Sequence, residues 1–154
     1  MPDPSSSMIG QAAEHIVCAD LLLNGIVAHL SFQGCRWDVV AESAGTLYRV
    51  QVKSTRGRTL RDRRPSCRYL FELSSSKSKM SCGDQEIVAL VALDSRRVAY
   101  MSSFELEGDT PGIIRGSVFF RSDMDRGPGF SNSGNRPVDA TRFFEDFTDP
   151  KRVF

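Results

Sequence analysis

Apolar residues recur with a helical period at the start of the chain. Ile9, Ala12, Ala13, Ile16, Val17, Ala19 and Leu23 fall on one arc of a wheel with 3.6 residues per turn. The spacing predicts a helix over residues 8–23, closed by Asn24-Gly25. One polar residue, Asp20, falls inside that apolar arc. The preceding MPDPSSS, residues 1–7, reads as a loose lead-in.

The period then shortens from 3.6 to 2. Residues 26–32 read as a strand broken by Gln33-Gly34, and residues 37–41 as a second. The turn Glu42-Ser43-Ala44-Gly45 leads into a third strand over residues 46–54. There Tyr48, Val50 and Val52 point one way while Arg49, Gln51 and Lys53 point the other. Residues 56–67 (RGRTLRDRRPSC) form a basic loop too polar to pack, followed by a strand at 69–73 and a Ser/Lys-rich loop. Residues 86–93 and 97–101 flank the turn Asp94-Ser95-Arg96 as a core hairpin. A further strand is expected within 113–120, a Gly/Ser/Asn/Pro loop at 127–137, and a short final helix from an Asp139 cap to Phe147. Helix, three strands, basic loop, more strands and helix make an α/β or α+β domain around one mixed sheet flanked by helices.

Composition changes this picture little. The 154 residues are enough for one domain with a sizeable core, and 40% hydrophobic with 25% charged residues excludes a disordered chain. Cys18, Cys35, Cys67 and Cys82 include no CxxC pair, and with only His15 and His29 no zinc-ligand spacing appears. Free thiols are therefore expected. No stretch approaches ~18 apolar residues and the N-terminus lacks a signal pattern, so a soluble, cytoplasmic protein with no membrane partner is expected. Charge matters more. The net charge is only +1, yet Arg49 to Lys79 carries ten Lys or Arg against Asp62 and Glu72, a local balance of +8. Such lopsidedness marks a face that meets an anion.

Candidate chemistry gathers where the strands would pair. Asp38 opens the second strand, and Gln51 and Lys53 share one face of the third, about 6.6–6.8 Å apart. A hairpin across 42–45 would set Asp38 beside both. Glu14 stands at the border of the helix's apolar arc, the half-buried position that a metal-ligating carboxylate needs. Taken singly, Glu14 reads as a solvated helix glutamate, Asp38 as a strand-end turn residue and Lys53 as a sheet-edge lysine. Their joint order is what points to a phosphodiesterase site. Mg²⁺ takes oxygen ligands, keeps several waters, and needs only one or two carboxylates from the protein.

The runs Gly10-Gln11-Ala12-Ala13-Glu14, Trp37-Asp38-Val39-Val40 and Tyr48-Arg49-Val50-Gln51-Val52-Lys53-Ser54-Thr55 resemble the PD-(D/E)xK nuclease superfamily. Within it they are most similar to endonucleases encoded in group I introns, and more distantly to Holliday-junction resolvases. The likeness is tight over residues 9–55, looser through 84–101, and extends weakly to 132–147. It implies a restriction-endonuclease-like core and a Mg²⁺-dependent DNA endonuclease, with Mn²⁺ as a substitute ion. By the same resemblance Asp38 and Glu14 bind the metal, Gln51 and the Val52 carbonyl assist, and Lys53 orients water or steadies the phosphate. Gln51 departs from the pattern, because an amide offers a carbonyl oxygen where the superfamily has an acid. Gln51 therefore leaves a silent DNA-binding module as one alternative, and a junction resolvase, with the same chemistry on branched DNA, stands as another.

The expected partner is double-stranded DNA, met by Arg56, Arg58, Arg61, Arg63, Arg64 and Arg68 with Lys77 and Lys79. Cutting both strands with one site per 17.1 kDa chain implies a homodimer or homotetramer. His15 is expected to be an exposed helix residue, His29 a strand residue without a catalytic part, Trp37 a core residue, and Gln33 a residue near the site.

Overall fold

The computed structural model describes residues 3–32, 34–58, 60–61, 64–65, 68–74, 79–121 and 144–154, with the backbone alone described at 60, 61, 64 and 65. Helix α1 spans Ser6–Leu23, two residues earlier than its apolar period begins. The reason is a cap that periodicity cannot see: the Ser5 hydroxyl accepts the Met8 N–H at 3.3 Å, so the lead-in shrinks to the first few residues. At the other end the Gly25 N–H bonds the Leu22 carbonyl and the Ile26 N–H the Leu21 carbonyl, both at 3.0 Å. Gly25, at φ 81°, takes the left-handed conformation that this Schellman closure requires.

Five strands form the central sheet: β1 (Val27–Leu30), β2 (Val39–Ser43), β3 (Thr46–Thr55), β7 (Ile87–Ala92) and β8 (Arg97–Ser102), adjacent in that order. The β3–β7 pair is parallel and the others antiparallel, so the sheet is mixed, as expected of an α+β fold. The β2–β3 hairpin closes through Ala44 at φ 50° and Gly45 at φ 78°, a two-residue turn whose twist matches the strands. Between β3 and β7 run β4 (Leu60–Arg61), β5 (Arg64–Pro65) and β6 (Arg68–Glu72).

Two apolar cores sit on opposite faces of the sheet. On one, Ala13, Val17 and Leu21 of α1 pack against Ala28, Val39, Ala41, Val50, Ala89, Val91 and Tyr100. Asp20, the polar residue in the helix stripe, accepts a hydrogen bond from the buried Tyr100 hydroxyl at 2.7 Å. On the other face, a ribbon of β6 and β9 (Ser117–Arg121) covers Val88, Leu90, Ala99 and Met101. Phe144 fills that core between Tyr69, Phe71 and Phe120, with ring centroids 5.2–6.0 Å away. Strand β7 is consequently buried on both faces, while β3 is only half-buried along most of its length.

Four details differ from the sequence pattern. The basic segment after β3 contains the β4–β5 pair, held by backbone bonds to which hydrophobic periodicity is blind. The strand expected over 113–120 begins only at Ser117, with Ile113 and Ile114 in isolated bridges. The α-helical cover among the described residues is α1 alone, and the described end of the final element is a 3₁₀ turn, Phe144–Phe147. The loop at 127–137 and the Asp139 cap lie outside the described residues. Among those residues no helix is long and apolar enough to cross a membrane, and Cys18, Cys35 and Cys82 are free thiols.

Candidate active site

Pairing of β2 with β3 puts Val39 opposite Val50, which sets Asp38 opposite Gln51. The Asp38 N–H bonds the Val50 carbonyl and the Ser31 N–H bonds the Asp38 carbonyl, at 3.0 and 2.9 Å. These bonds fix the backbone of Asp38 although β2 proper starts one residue later. Its Oδ2 accepts two hydrogen bonds, from Gln51 Nε2 and, at 2.7 Å, from the Val52 N–H. Gln51 thus turns its amide nitrogen toward Asp38, which leaves its Oε1 as the free acceptor.

The register decides which face this is. Gln51 and Lys53 lie beside Val88 and Leu90, both of the ribbon-side core, so the cluster occupies the face opposite α1. The ribbon covers β7 and β8 there, and Gln51 and Lys53 are left half-buried at its margin. Glu14 comes from the other face, on α1. Because Asp38 lies where β2 begins rather than within it, the helix carboxylate comes within its electrostatic reach.

The charges report that proximity. Burial pushes the Glu14 carboxyl above its ordinary 4.5, the Asp38 charge pushes it further, and His15 pulls it down. Burial likewise raises Asp38 above 3.8, against the Val52 N–H and the charge of Lys53, which both lower it. The Cys18 thiol, one helical turn from Glu14, is raised by burial and then by that carboxylate. Two half-buried carboxylates that repel each other, with an amide oxygen alongside, are a donor set suited to a hard divalent cation. Among the described residues no group of three His, Cys, Asp or Glu side chains is placed to hold a metal. A cation here would therefore draw on the two carboxylates together with neutral oxygens.

The structure brings Glu14, Asp38, Gln51, Val52 and Lys53 together. The expected DNA-binding residues are placed less uniformly. Arg56 is exposed just beyond β3, its Nη2 3.5 Å from the Pro4 carbonyl, and Arg58 is half-buried. Arg61 and Arg64 are cross-strand partners in the β4–β5 pair. Arg68 sits on β6 opposite Arg121, and Lys79 is exposed. Arg63, Lys77 and Gln33 lie outside the described residues. His15 and His29 are exposed. Trp37 corrects its expectation: it is half-buried and outside both cores, with the Arg49 guanidinium 5.8 Å from its ring.

Sequence reasoning passed over Arg49 and Glu86. Glu86 Oε1 accepts from Arg49 Nε at 2.8 Å and from Nη2, while its Oε2 accepts the Arg49 N–H at 2.6 Å. The usable signal was the shared phase of Arg49 with Gln51 and Lys53 along β3. Glu86, 37 residues away, gave none, because parallel pairing leaves no local trace.

These elements define an α+β fold in which a mixed five-stranded sheet carries a polar cluster at the margin of its covering ribbon, where β2 begins. A solved structure described as a bacterial homing endonuclease, I-Ssp6803I, has this fold, with a TM-score of 0.62 over 98% of this chain and 91% of that one. The identity is 12%, so the likeness is one of fold. No family model and no curated protein matches the chain.

Proposed function

We propose that this protein is a metal-dependent DNA endonuclease with a PD-(D/E)xK-type site. The observation that carries the reading is the Asp38 carboxylate, held by Gln51 and the Val52 N–H and acted on by the charges of Glu14 and Lys53. The fold shared with a homing endonuclease supports the same reading and favours a sequence-specific enzyme of the intron-homing kind.

Asp38 and Glu14 would hold Mg²⁺, or Mn²⁺ in its place, with Gln51 Oε1 and the Val52 carbonyl as neutral oxygens. Bound there, the ion supplies Lewis-acid polarisation of the phosphate and a lowered pKa for its water. Lys53 places a positive charge where negative charge develops on the phosphate and orients the attacking water. The Val52 N–H and the Gln51 amide fix the Asp38 carboxylate before substrate arrives, so none of that ordering is left to the reaction. Arg56, Arg58, Arg61, Arg63, Arg64, Arg68, Lys77 and Lys79 neutralise backbone phosphates beyond the end of β3. One site per chain makes double-strand cleavage the work of a dimer or tetramer.

Plasmid cleavage tests the proposal: the wild type nicks or linearises DNA in Mg²⁺ and not in EDTA, and Asp38→Ala and Lys53→Ala lose that activity. Mg²⁺-dependent cleavage retained in either variant removes that residue from the reading. One observation favours a second reading. Among the described residues only two formal negative charges meet at the site, which suits a silent DNA-binding module that binds duplex in a salt-sensitive way without cutting in Mg²⁺ or Mn²⁺.

A further inference from the structure

The row beside the candidate site holds a second polar constellation. On the face opposite α1, His29, Val40 and Arg49 are cross-strand partners, and Glu86 extends the row just before β7. Arg49 stands two residues before Gln51 on the same face of β3, about 6.7 Å along the strand. Its guanidinium is unusually well fixed for a surface cation. Nε and Nη2 bond the Glu86 carboxylate, the Glu86 N–H bonds the Arg49 carbonyl at 3.1 Å, and the guanidinium carbon lies 5.8 Å from the Trp37 ring centroid. These bonds use the Nε–H and one Nη2–H, and leave the second Nη2–H and both Nη1 hydrogens at the end of the fork, on a side chain 40% exposed.

An ion pair needed only to clip β3 to β7 could be satisfied by Lys. A fork held on its Nε–Nη2 edge, within cation–π range of a ring and free at its Nη1–Nη2 end is arranged for a further bidentate acceptor, and tetrahedral phosphate oxygens match that geometry. We propose that Arg49 is a positioning residue that takes a DNA backbone phosphate neighbouring the one at Asp38. Glu86 and Trp37 hold its guanidinium ready for that contact. The inference rests on the endonuclease reading and deepens it, because it names a contact that sets the register of the cut strand.

The test uses the full chain and a fluorescein-labelled mixed-sequence duplex in EDTA, with affinity followed between roughly 50 and 200 mM salt. Losing one phosphate contact lowers the slope of log affinity against log salt by about 0.9. Arg49→Met is expected to show that drop, with several-fold weaker binding at the low-salt end. Arg49→Lys is expected to recover the slope but not the cleavage rate, since a point charge cannot orient the strand. Glu86→Gln, which removes a negative charge yet loosens the fork, is expected to bind more tightly and cut more slowly. Should Arg49→Met prove too unstable to measure, Arg49→Lys and Glu86→Gln decide. Glu86→Gln with binding and rate lowered together marks a purely structural clip and overturns the proposal. An unchanged slope in folded Arg49→Met, with wild type cutting normally, also overturns it. If wild type binds but never cuts while Arg49→Met still loses slope, the endonuclease reading fails and the phosphate contact stands.

Discussion

Replacing Gln51 by Glu would restore the acid that the superfamily pattern has at this position, and the structure gives the consequence a size. Gln51 Nε2 donates to Asp38 Oδ2, so the substitution removes a hydrogen bond to a charged group, about 1.5–3 kcal/mol. It also sets a second carboxylate against Asp38, which Glu14 already opposes. Two like charges ~4 Å apart at an effective dielectric of ~20 repel by about 4 kcal/mol, an upper bound for half-buried groups that can take up a proton instead. With most of that repulsion relieved by protonation, the cost in the metal-free protein stays near the upper end of the hydrogen-bond range, about 3 kcal/mol. For a chain of this size that is a fall in Tm of roughly 6–12 °C, at 2–4 °C per kcal/mol. A divalent cation reverses the balance, since ligand bound only to the folded state stabilises it and three carboxylates bind it more tightly than two. Thermal unfolding of both proteins in EDTA and in excess Mg²⁺ measures all four corners. Gln51→Glu should melt lower in EDTA and gain more from Mg²⁺ than wild type does. An unchanged Tm in EDTA refutes the Gln51–Asp38 contact, and equal Mg²⁺ gains refute the metal site while leaving the contact intact.

Two further outcomes concern the scaffold. Tyr100→Phe leaves half-buried Asp20 without its 2.7 Å donor and should cost about 1.5–3 kcal/mol, read as a lowered urea midpoint with an unchanged m-value. No loss would place Asp20 in water instead. Burial pushes the Glu105 carboxyl up, but hydrogen bonds from Arg152 and the Ser102 N–H, with the Arg152 charge, outweigh it and hold the group below 4.5. A depressed carboxyl stabilises the fold above its ordinary value and loses that contribution as pH falls through the folded value. Glu105→Gln removes that titration, so its loss of Tm below pH ~4.5 should be shallower than in wild type, and an equally steep loss would refute the depressed carboxyl.

How much of this was legible in the chain depends on the range of the interaction. Helix α1 was readable because its stripe repeats within one turn, and the β2–β3 hairpin because a two-residue turn fixes the register of all that follows it. That register alone joined Asp38 to Gln51 and Lys53, so the heart of the candidate site was present in the sequence. Glu14 was legible only as a border residue, because a periodicity does not say which strand a helix will cross. The parallel pairing of β3 with β7 left no local signal, and with it stayed hidden the Arg49–Glu86 pair and the face on which the cluster lies. Asp20 looked like a flaw in the helix until Tyr100, 80 residues away, supplied its hydrogen bond. Local periodicity and turn chemistry thus determined α1, the strands of the central sheet and three of the site's groups. Only the packing of distant elements on the two faces of one sheet decided which groups are half-buried, which are paired, and where their charges act.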